Sequence, residues 1–297
     1  MNSSVKIEEV SIIKDLFDLG KYRISISVAI TAVAGYLLYE IKFDLNLFLT
    51  FFGTMLMSMG AASFNHWQER NLDSLMERTK KRPIASGRIN QQKGFAISSV
   101  LSLMGMLLLL GTGELVAMLV GLVTLLFYNV VYTPMKKVSN LAVLPGAIVG
   151  GLPPLIGWAA AGGYFYAPAI WALALFLFLW QMPHFWLLLL LFDDQYAKAG
   201  YVMLNRWLNR AQIGRVTFVW IVSLASLALI VPFYGVIDNR YTQIIFFLSE
   251  IVLLYNARFL LEKKLERKRI RKTFMYINIY VLLVLILIII DKIFLIN

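Results

Sequence analysis

At 297 residues, 60% hydrophobic and only 15% charged, with a mean hydropathy of +0.73, the chain lies far from the roughly 25% charged balance of soluble globular domains. That excludes a cytosolic enzyme and a disordered chain alike. Its formal charge of +11 would suit nucleic acid, but the basic residues sit in short stretches between long apolar runs, where they report membrane orientation instead; no nucleic acid partner is expected. Cysteine is absent and histidine occurs only as His66 and His184, so disulfides, thiolate chemistry and a three-histidine zinc centre are excluded.

A membrane-crossing helix needs about 20 largely apolar residues. Nine stretches approach that length, near 23–41, 45–64, 94–112, 114–133, 141–162, 167–191, 213–235, 241–261 and 274–296. The fold class expected is all-α, a polytopic protein of the lipid bilayer with nine transmembrane helices. Residues 1–22 carry Lys6, Glu8, Glu9, Lys14, Asp15, Asp18 and Lys21, a mixed-charge segment unlike a signal or transit peptide. Taking the loops alternately, 25 of the 28 Lys and Arg residues fall on one side, against Lys42, Arg240 and Lys292 on the other. This asymmetry predicts a cytoplasmic N-terminus and an external C-terminus. No linker or internal repeat divides the chain, so residues 1–297 read as one membrane domain.

The loop after span two runs from Asn65 to Pro83. If the helix continues through it, Asn65, Glu69, Asp73 and Glu77 recur every four residues along one slowly rotating face. Carboxylates and an amide on one face suit a hard divalent cation such as Mg²⁺, and Arg78, Lys80, Lys81 and Arg82 follow directly with positive charge for oxyanions. A metal beside cations implies a diphosphate ligand. The plainer alternative is a solvated juxtamembrane helix of i,i+4 ion pairs, which accounts for the bases but not for Asn65 at its membrane end. Pro83, Ser86 and Gly87 should turn the chain back toward span three.

Between spans four and five, Tyr132, Lys136, Lys137 and Ser139 read either as topology charges or as part of a site. Span five holds Gly146, Gly150, Gly151, Pro153, Pro154 and Gly157, which predicts close helix packing and a break beside a cavity. Span six carries Trp180, Gln181, Pro183 and His184. An intramembrane histidine is a functional candidate, with a hydrogen bond to a neighbouring helix as the equal alternative. Asp193 and Asp194, on the same side as the acidic stripe, could complete a second metal position or stand as exposed loop acids.

With these residues in view, the chain resembles the UbiA superfamily of intramembrane aromatic prenyltransferases, and within it the branch that farnesylates heme. The Asn65-to-Pro83 segment is similar to that family's N-x-x-x-D-x-x-x-D followed by M-x-R-T; Gly150-Gly151-Leu152-Pro153-Pro154 and Trp180-Gln181-Met182-Pro183-His184-Phe185 complete the likeness. The resemblance implies a nine-helix bundle whose central cavity opens to the cytoplasmic side. It implies farnesyl diphosphate bound through Mg²⁺ on two acidic motifs, ionised, and passed with addition of water to the 2-vinyl group of protoheme IX (heme B), giving heme O. By that resemblance Asn65, Glu69 and Asp73 hold the first metal and Asp193 or Asp194 the second. Arg78, Lys81, Arg82, Tyr132, Lys136 and Lys137 grip diphosphate or heme propionates, His184 contacts heme, and Asn65, Glu69, Asp73, Arg78, Lys136 and Asp194 form the catalytic group.

The chain departs from the family pattern at Glu69 and Asn71, where Asp is usual, and at Gln195, where an Asp normally precedes the Tyr. A bacterial plasma membrane is the expected location. A downstream heme A synthase or cytochrome oxidase assembly factor is a possible partner by the same resemblance. Two rivals stand beside this reading: a relative prenylating a quinone precursor such as 4-hydroxybenzoate, and a secondary transporter of an anionic amphiphile.

Overall fold

The computed structural model describes residues 12–294. The charged positions Lys6, Glu8 and Glu9, and the end of the ninth predicted span at 295–296, lie outside them. In chain order the helices are α1 (Ile12–Leu19), α2 (Tyr22–Tyr39), α3 (Leu45–Asp73), α4 (Gln91–Leu110) and α5 (Leu115–Leu126), which passes through a π-helical segment (Phe127–Tyr132) into α6 (Thr133–Met135). They continue with α7 (Val143–Gly151), α8 (Pro153–Ala160), α9 (Pro168–Lys198), α10 (Arg210–Ala228), α11 (Arg240–Ala257) and α12 (Arg267–Phe294). Among the described residues nine spans are long and apolar enough to cross a membrane, α5 to α6 and α7 to α8 each making one. Each overlaps one of the predicted stretches. The main revision is length: α3 reaches Asp73 and α9 reaches Lys198, so both project past the apolar core and carry polar side chains there.

A lipid-facing shell of Leu103, Leu107, Leu119, Val123, Ile251 and Ile279 is exposed, as expected where hydrocarbon is the solvent. Association then depends on close packing. It is tightest where α2 meets α8: a Cβ on Gly157 would stand 1.7 Å from the Ala32 carbonyl oxygen, and one on Gly35 2.0 Å from that of Pro154. Backbone touches backbone there. The break expected in span five falls at Leu152, ahead of Pro153 and Pro154. Gly150 serves a different end, since a Cβ there would meet the Gln181 side chain at 2.3 Å, so the Gly-Gly pair makes room for span six.

The opposite ends of the helices, where Lys42, Arg240 and Lys292 lie, are held by buried charge. Asp291, fully buried, accepts hydrogen bonds from the backbone N–H groups of Asp238 and Asn239 at 2.8 and 2.9 Å, while Lys292 donates to the Gly235 carbonyl at 2.8 Å and pairs with Asp238. This ties α12 to the turn before α11. On the same face Asp44 caps α3, accepting from Leu47 N–H at 3.1 Å and the Tyr36 hydroxyl at 2.9 Å. Burial pushes its carboxyl up, but those donors and Lys42 outweigh it and hold Asp44 below its ordinary 3.8.

Two outcomes follow for purified protein in detergent. Gly157→Val should lose thermal stability by about 3 kcal/mol or fail to give a monodisperse species, as overpacking against backbone demands, whereas lipid-facing Leu103→Ala should change little. A carboxyl held low in the fold contributes fully above pH 3.8 and loses its contribution as the pH falls through the lower folded value. Asp44→Ala should therefore cost about 1 kcal/mol at neutral pH and abolish that part of the acid-side decline, read by fluorescence melts across pH 2 to 5.

Candidate active site

One turn of α-helix is 3.6 residues, so Asn65, Glu69 and Asp73 stack along α3, and all three are buried (1, 3 and 1% exposed). Each is engaged. The Asn65 amide donates to Glu69 Oε2 at 2.9 Å and to Thr133 Oγ1 at 3.1 Å, and its oxygen accepts from Lys21 Nζ at 3.3 Å. Glu69 Oε1 accepts from Lys136 Nζ at 2.6 Å and from the Tyr201 hydroxyl at 2.9 Å. Both Asp73 oxygens accept from Arg82, at 2.8 and 2.7 Å. The helix ends at Asp73, so the stripe stops there: Glu77, expected on the same face, is exposed and pairs with Lys80 at 2.6 Å.

Around these groups lies a cavity of about 240 Å³, lined among others by Lys21, Arg78, Arg82, Lys136, Tyr128, Tyr132, Phe185, Trp186, Tyr196 and Tyr201. Four cations face two carboxylates, Glu69 and Asp73, in its lining, an excess of positive charge with an aromatic wall behind it. Lys21 is held there at a cost. It is the one non-glycine residue with positive φ among the described residues, in the left-handed region at φ 46, ψ 49, a strain that surrounding structure must impose. Burial, then Arg82 and Lys136, press its amine well below the ordinary 10.5. An arriving anion would relieve that pressure.

The π segment sets the fourth span against α3. Asn129 donates to the Ala61 carbonyl at 3.0 Å and Gln68 Oε1 at 3.2 Å, and Gln68 donates back to the Asn129 carbonyl at 2.8 Å. Thr133, one residue beyond the segment, takes the Asn65 bond. Opposite, the loop after α3 clasps the last turn of α9: Arg78 N–H donates to Gln195 Oε1 at 3.1 Å, its guanidinium donates to the Tyr196 hydroxyl at 3.2 Å, and it lies over the Phe192 ring at 5.1 Å. Phe192 itself is non-helical (φ −132, ψ 20), a kink that breaks α9 ahead of this turn.

The UbiA prenyltransferase family matches residues 28–280, some 250 of the 297 residues. A protoheme IX farnesyltransferase of Oleidesulfovibrio alaskensis is 32% identical over 274 residues, covering 92% of this chain and 95% of that one. The chain belongs to the UbiA prenyltransferase family. Solved UbiA structures share the fold: the apo homologue from Aeropyrum pernix K1 superposes with a TM-score of 0.74 at 17% identity, over 91% of this chain and 98% of that one. A homologue from Archaeoglobus fulgidus bound to GPP and Mg²⁺ superposes with a TM-score of 0.66 at 11% identity, over 92% and 99%.

Within this UbiA fold the predicted residues separate into two groups. Asn65, Glu69, Asp73, Arg78, Arg82, Tyr132 and Lys136 come together at the cavity. Five do not line it. Lys81 and Lys137 are exposed. Asp193 is taken by Arg210, and Asp194 is exposed on the outer side of the same turn. His184 turns to α12, its Nδ1 3.1 Å from Asn278 Oδ1, beside Trp180, which donates to the Ile277 carbonyl at 3.1 Å. Trp180 and His184 of the span-six signature therefore dock α9 against α12, while Phe185 of the same signature lines the cavity. Lys21, Tyr128, Tyr196 and Tyr201 join the site without having been predicted. Mg²⁺ takes one or two carboxylates among oxygen ligands. Asn65, Glu69 and Asp73 match that donor set at one position, although Lys136 and Arg82 now occupy the carboxylates; among the described residues no group of three or more acids and histidines is assembled for an ion.

Burial first, and the Glu69 carboxylate second, hold the Tyr201 phenol far above its ordinary 10, so it remains a protonated donor to Glu69. Tyr201→Phe should keep the ring packing against Tyr196 yet cost about 1 to 3 kcal/mol, the range for a hydrogen bond to a buried charge. Thermal melts of folded variant and wild type measure it.

Proposed function

We propose that this protein transfers a farnesyl group from farnesyl diphosphate to the 2-vinyl group of protoheme IX with addition of water, giving heme O and diphosphate. The observation that carries the reading is the cation-rich cavity with an aromatic wall, in a chain whose full-length relatives are named protoheme IX farnesyltransferase. Lys21, Arg78, Arg82 and Lys136 bind the diphosphate oxygens and neutralise charge as the allylic C–O bond breaks. Asn65, Glu69 and Asp73 hold Mg²⁺, which when bound supplies further charge stabilisation to the leaving diphosphate. Tyr128, Tyr132, Phe185 and Trp186 shelter the allylic cation from water and stabilise it through their ring faces.

The terminal vinyl carbon then forms the new C–C bond. Positive charge passes to the carbon next to the porphyrin, and water adds there with loss of a proton. At about 240 Å³ the cavity is smaller than typical small-molecule sites of 300–1,000 Å³, so accepting both substrates requires it to widen, with the α9 kink at Phe192 as the place for that movement. His184, one helical turn from the cavity-lining Leu188, contacts the acceptor once it does. The whole chain acts as one catalytic unit. The face bearing the active site is cytoplasmic, in a bacterial plasma membrane, as the basic loops favour. A heme-modifying enzyme or oxidase assembly factor receives the product.

Purified protein incubated with protoheme, farnesyl diphosphate and Mg²⁺ should yield a more retained heme, heavier by a farnesyl group plus water on mass spectrometry. Unchanged heme from folded protein, with conversion of 4-hydroxybenzoate instead, would replace the acceptor. Asp73→Asn should lower turnover by at least about a hundredfold, the scale of losing one electrostatic partner at a developing charge, while leaving the monodisperse fold intact. Wild-type turnover in that variant would remove Asp73 from the chemistry.

A further inference from the structure

The resemblance to the UbiA family leads one to expect a second acidic motif facing the first. The structure builds something else at that place. Asp193 is spent on Arg210, whose guanidinium also donates to the Leu190 carbonyl at 2.9 Å, and Asp194 is exposed. The next residue on the turn that meets the cavity is Gln195, a neutral amide, and its oxygen is already used as acceptor for the Arg78 N–H at 3.1 Å. Tyr196, which lines the cavity, spends its hydroxyl on the Arg78 guanidinium at 3.2 Å, and the rings of Phe192 and Tyr196 lie 5.1 and 5.7 Å from that guanidinium carbon. No carboxylate of α9 reaches the cavity lining, and what stands in that position is a pinned guanidinium.

The charges balance. A carboxylate holding a divalent cation contributes one net positive charge toward a bound anion. The Arg78 guanidinium, held by the Tyr196 hydroxyl while the neutral Gln195 amide accepts the Arg78 backbone N–H, contributes the same one. Arginine adds a planar fork of donors that matches two oxygens of a phosphoryl group, and it needs no metal from solution. We infer that this active site takes a single divalent ion, at Asn65, Glu69 and Asp73, because Gln195 offers no carboxylate for a second, and that Arg78, the arginine of the M-x-R-T pattern, fixed by Gln195 and Tyr196, neutralises that end of the diphosphate without a second ion beside it. The inference rests on the diphosphate reading given above. It deepens that reading by fixing the number of ions and naming Gln195 as the residue that sets it.

The test counts metal. Detergent-purified protein is dialysed against Mn²⁺ and the unreactive analogue farnesyl thiodiphosphate, bound manganese and bound analogue are quantified, and the Mn²⁺ spectrum is recorded by electron paramagnetic resonance. One manganese per bound analogue, with an uncoupled six-line spectrum, is expected of the wild type. Two per analogue, with a spin-coupled spectrum, would overturn the inference and leave the diphosphate reading standing; analogue bound with no manganese would overturn the metal assignment itself. Gln195→Asp should admit a second ion and the coupled spectrum, and Gln195→Glu serves if the first variant does not fold; a folded carboxylate variant that stays at one ion would remove Gln195 as the determinant. Arg78→Gln should weaken analogue binding about tenfold or more, in line with losing a charge-assisted contact, and Arg78→Lys should restore part of it. Unchanged analogue affinity in Arg78→Gln would overturn the role given to Arg78.

Discussion

Glu69 and Asp73 are carboxylates sunk among helices, and a buried charge must be partnered or it forfeits several kcal/mol. Meeting that demand is what gathers the site. Lys136 comes from the turn after the fourth span, Arg82 from the loop beyond α3 and Tyr201 from beyond α9. Lys21, from the turn ahead of α2, joins through Asn65. Segments up to 132 residues apart are thereby fixed to one helix face. The same bonds that hold the mouth of the bundle together hold cations where an anion would bind, so stability and function draw on one network.

Most of the architecture was legible in the sequence because hydropathy is a local property. An apolar run of membrane length has few alternatives in lipid, and the sidedness of lysine and arginine ordered the loops. The four-residue spacing from Asn65 to Asp73 is equally local, and the three side chains share one buried face of α3. What escaped were pairings that only tertiary structure makes. Lys21 looked like an orientation charge, and nothing in the residues around it announced a left-handed turn aimed inward. Tyr201 lay in a loop without any motif. Asp193 and Asp194 drew attention as adjacent acids, but adjacency on a helix means about 100° between side chains, and with the kink at Phe192 the turn shows Gln195 and Tyr196 to the neighbouring loop instead. In sequence His184 admits either a ligand contact or a hydrogen bond to a neighbouring helix, and the bond to Asn278 is the one this structure forms.

The excess positive charge of the cavity has its own logic. Cations crowded in low dielectric repel one another strongly, and Lys21 registers that in its depressed amine. The arrangement is tolerable because the carboxylates offset part of the charge and the mouth meets water. It is also directional: the field falls off into a bundle whose remaining wall is aromatic and aliphatic, so a molecule with a polyanionic head and an apolar tail has only one favourable way to enter.

The π-helical segment Phe127–Tyr132 re-aims the end of the fourth span. Such a segment is in effect an α-helix into which one residue has been inserted, and one residue amounts to about 100° of rotation. Everything beyond the insertion is turned by more than a quarter circle relative to an uninterrupted helix. Thr133 and Lys136, which reach Asn65 and Glu69, lie beyond it. One extra residue in an otherwise lipid-facing helix is therefore enough to turn a lysine toward Glu69 without disturbing the hydrophobic pattern upstream. Irregular turns of this kind give membrane enzymes a way to revise an active site while the spans themselves stay unchanged.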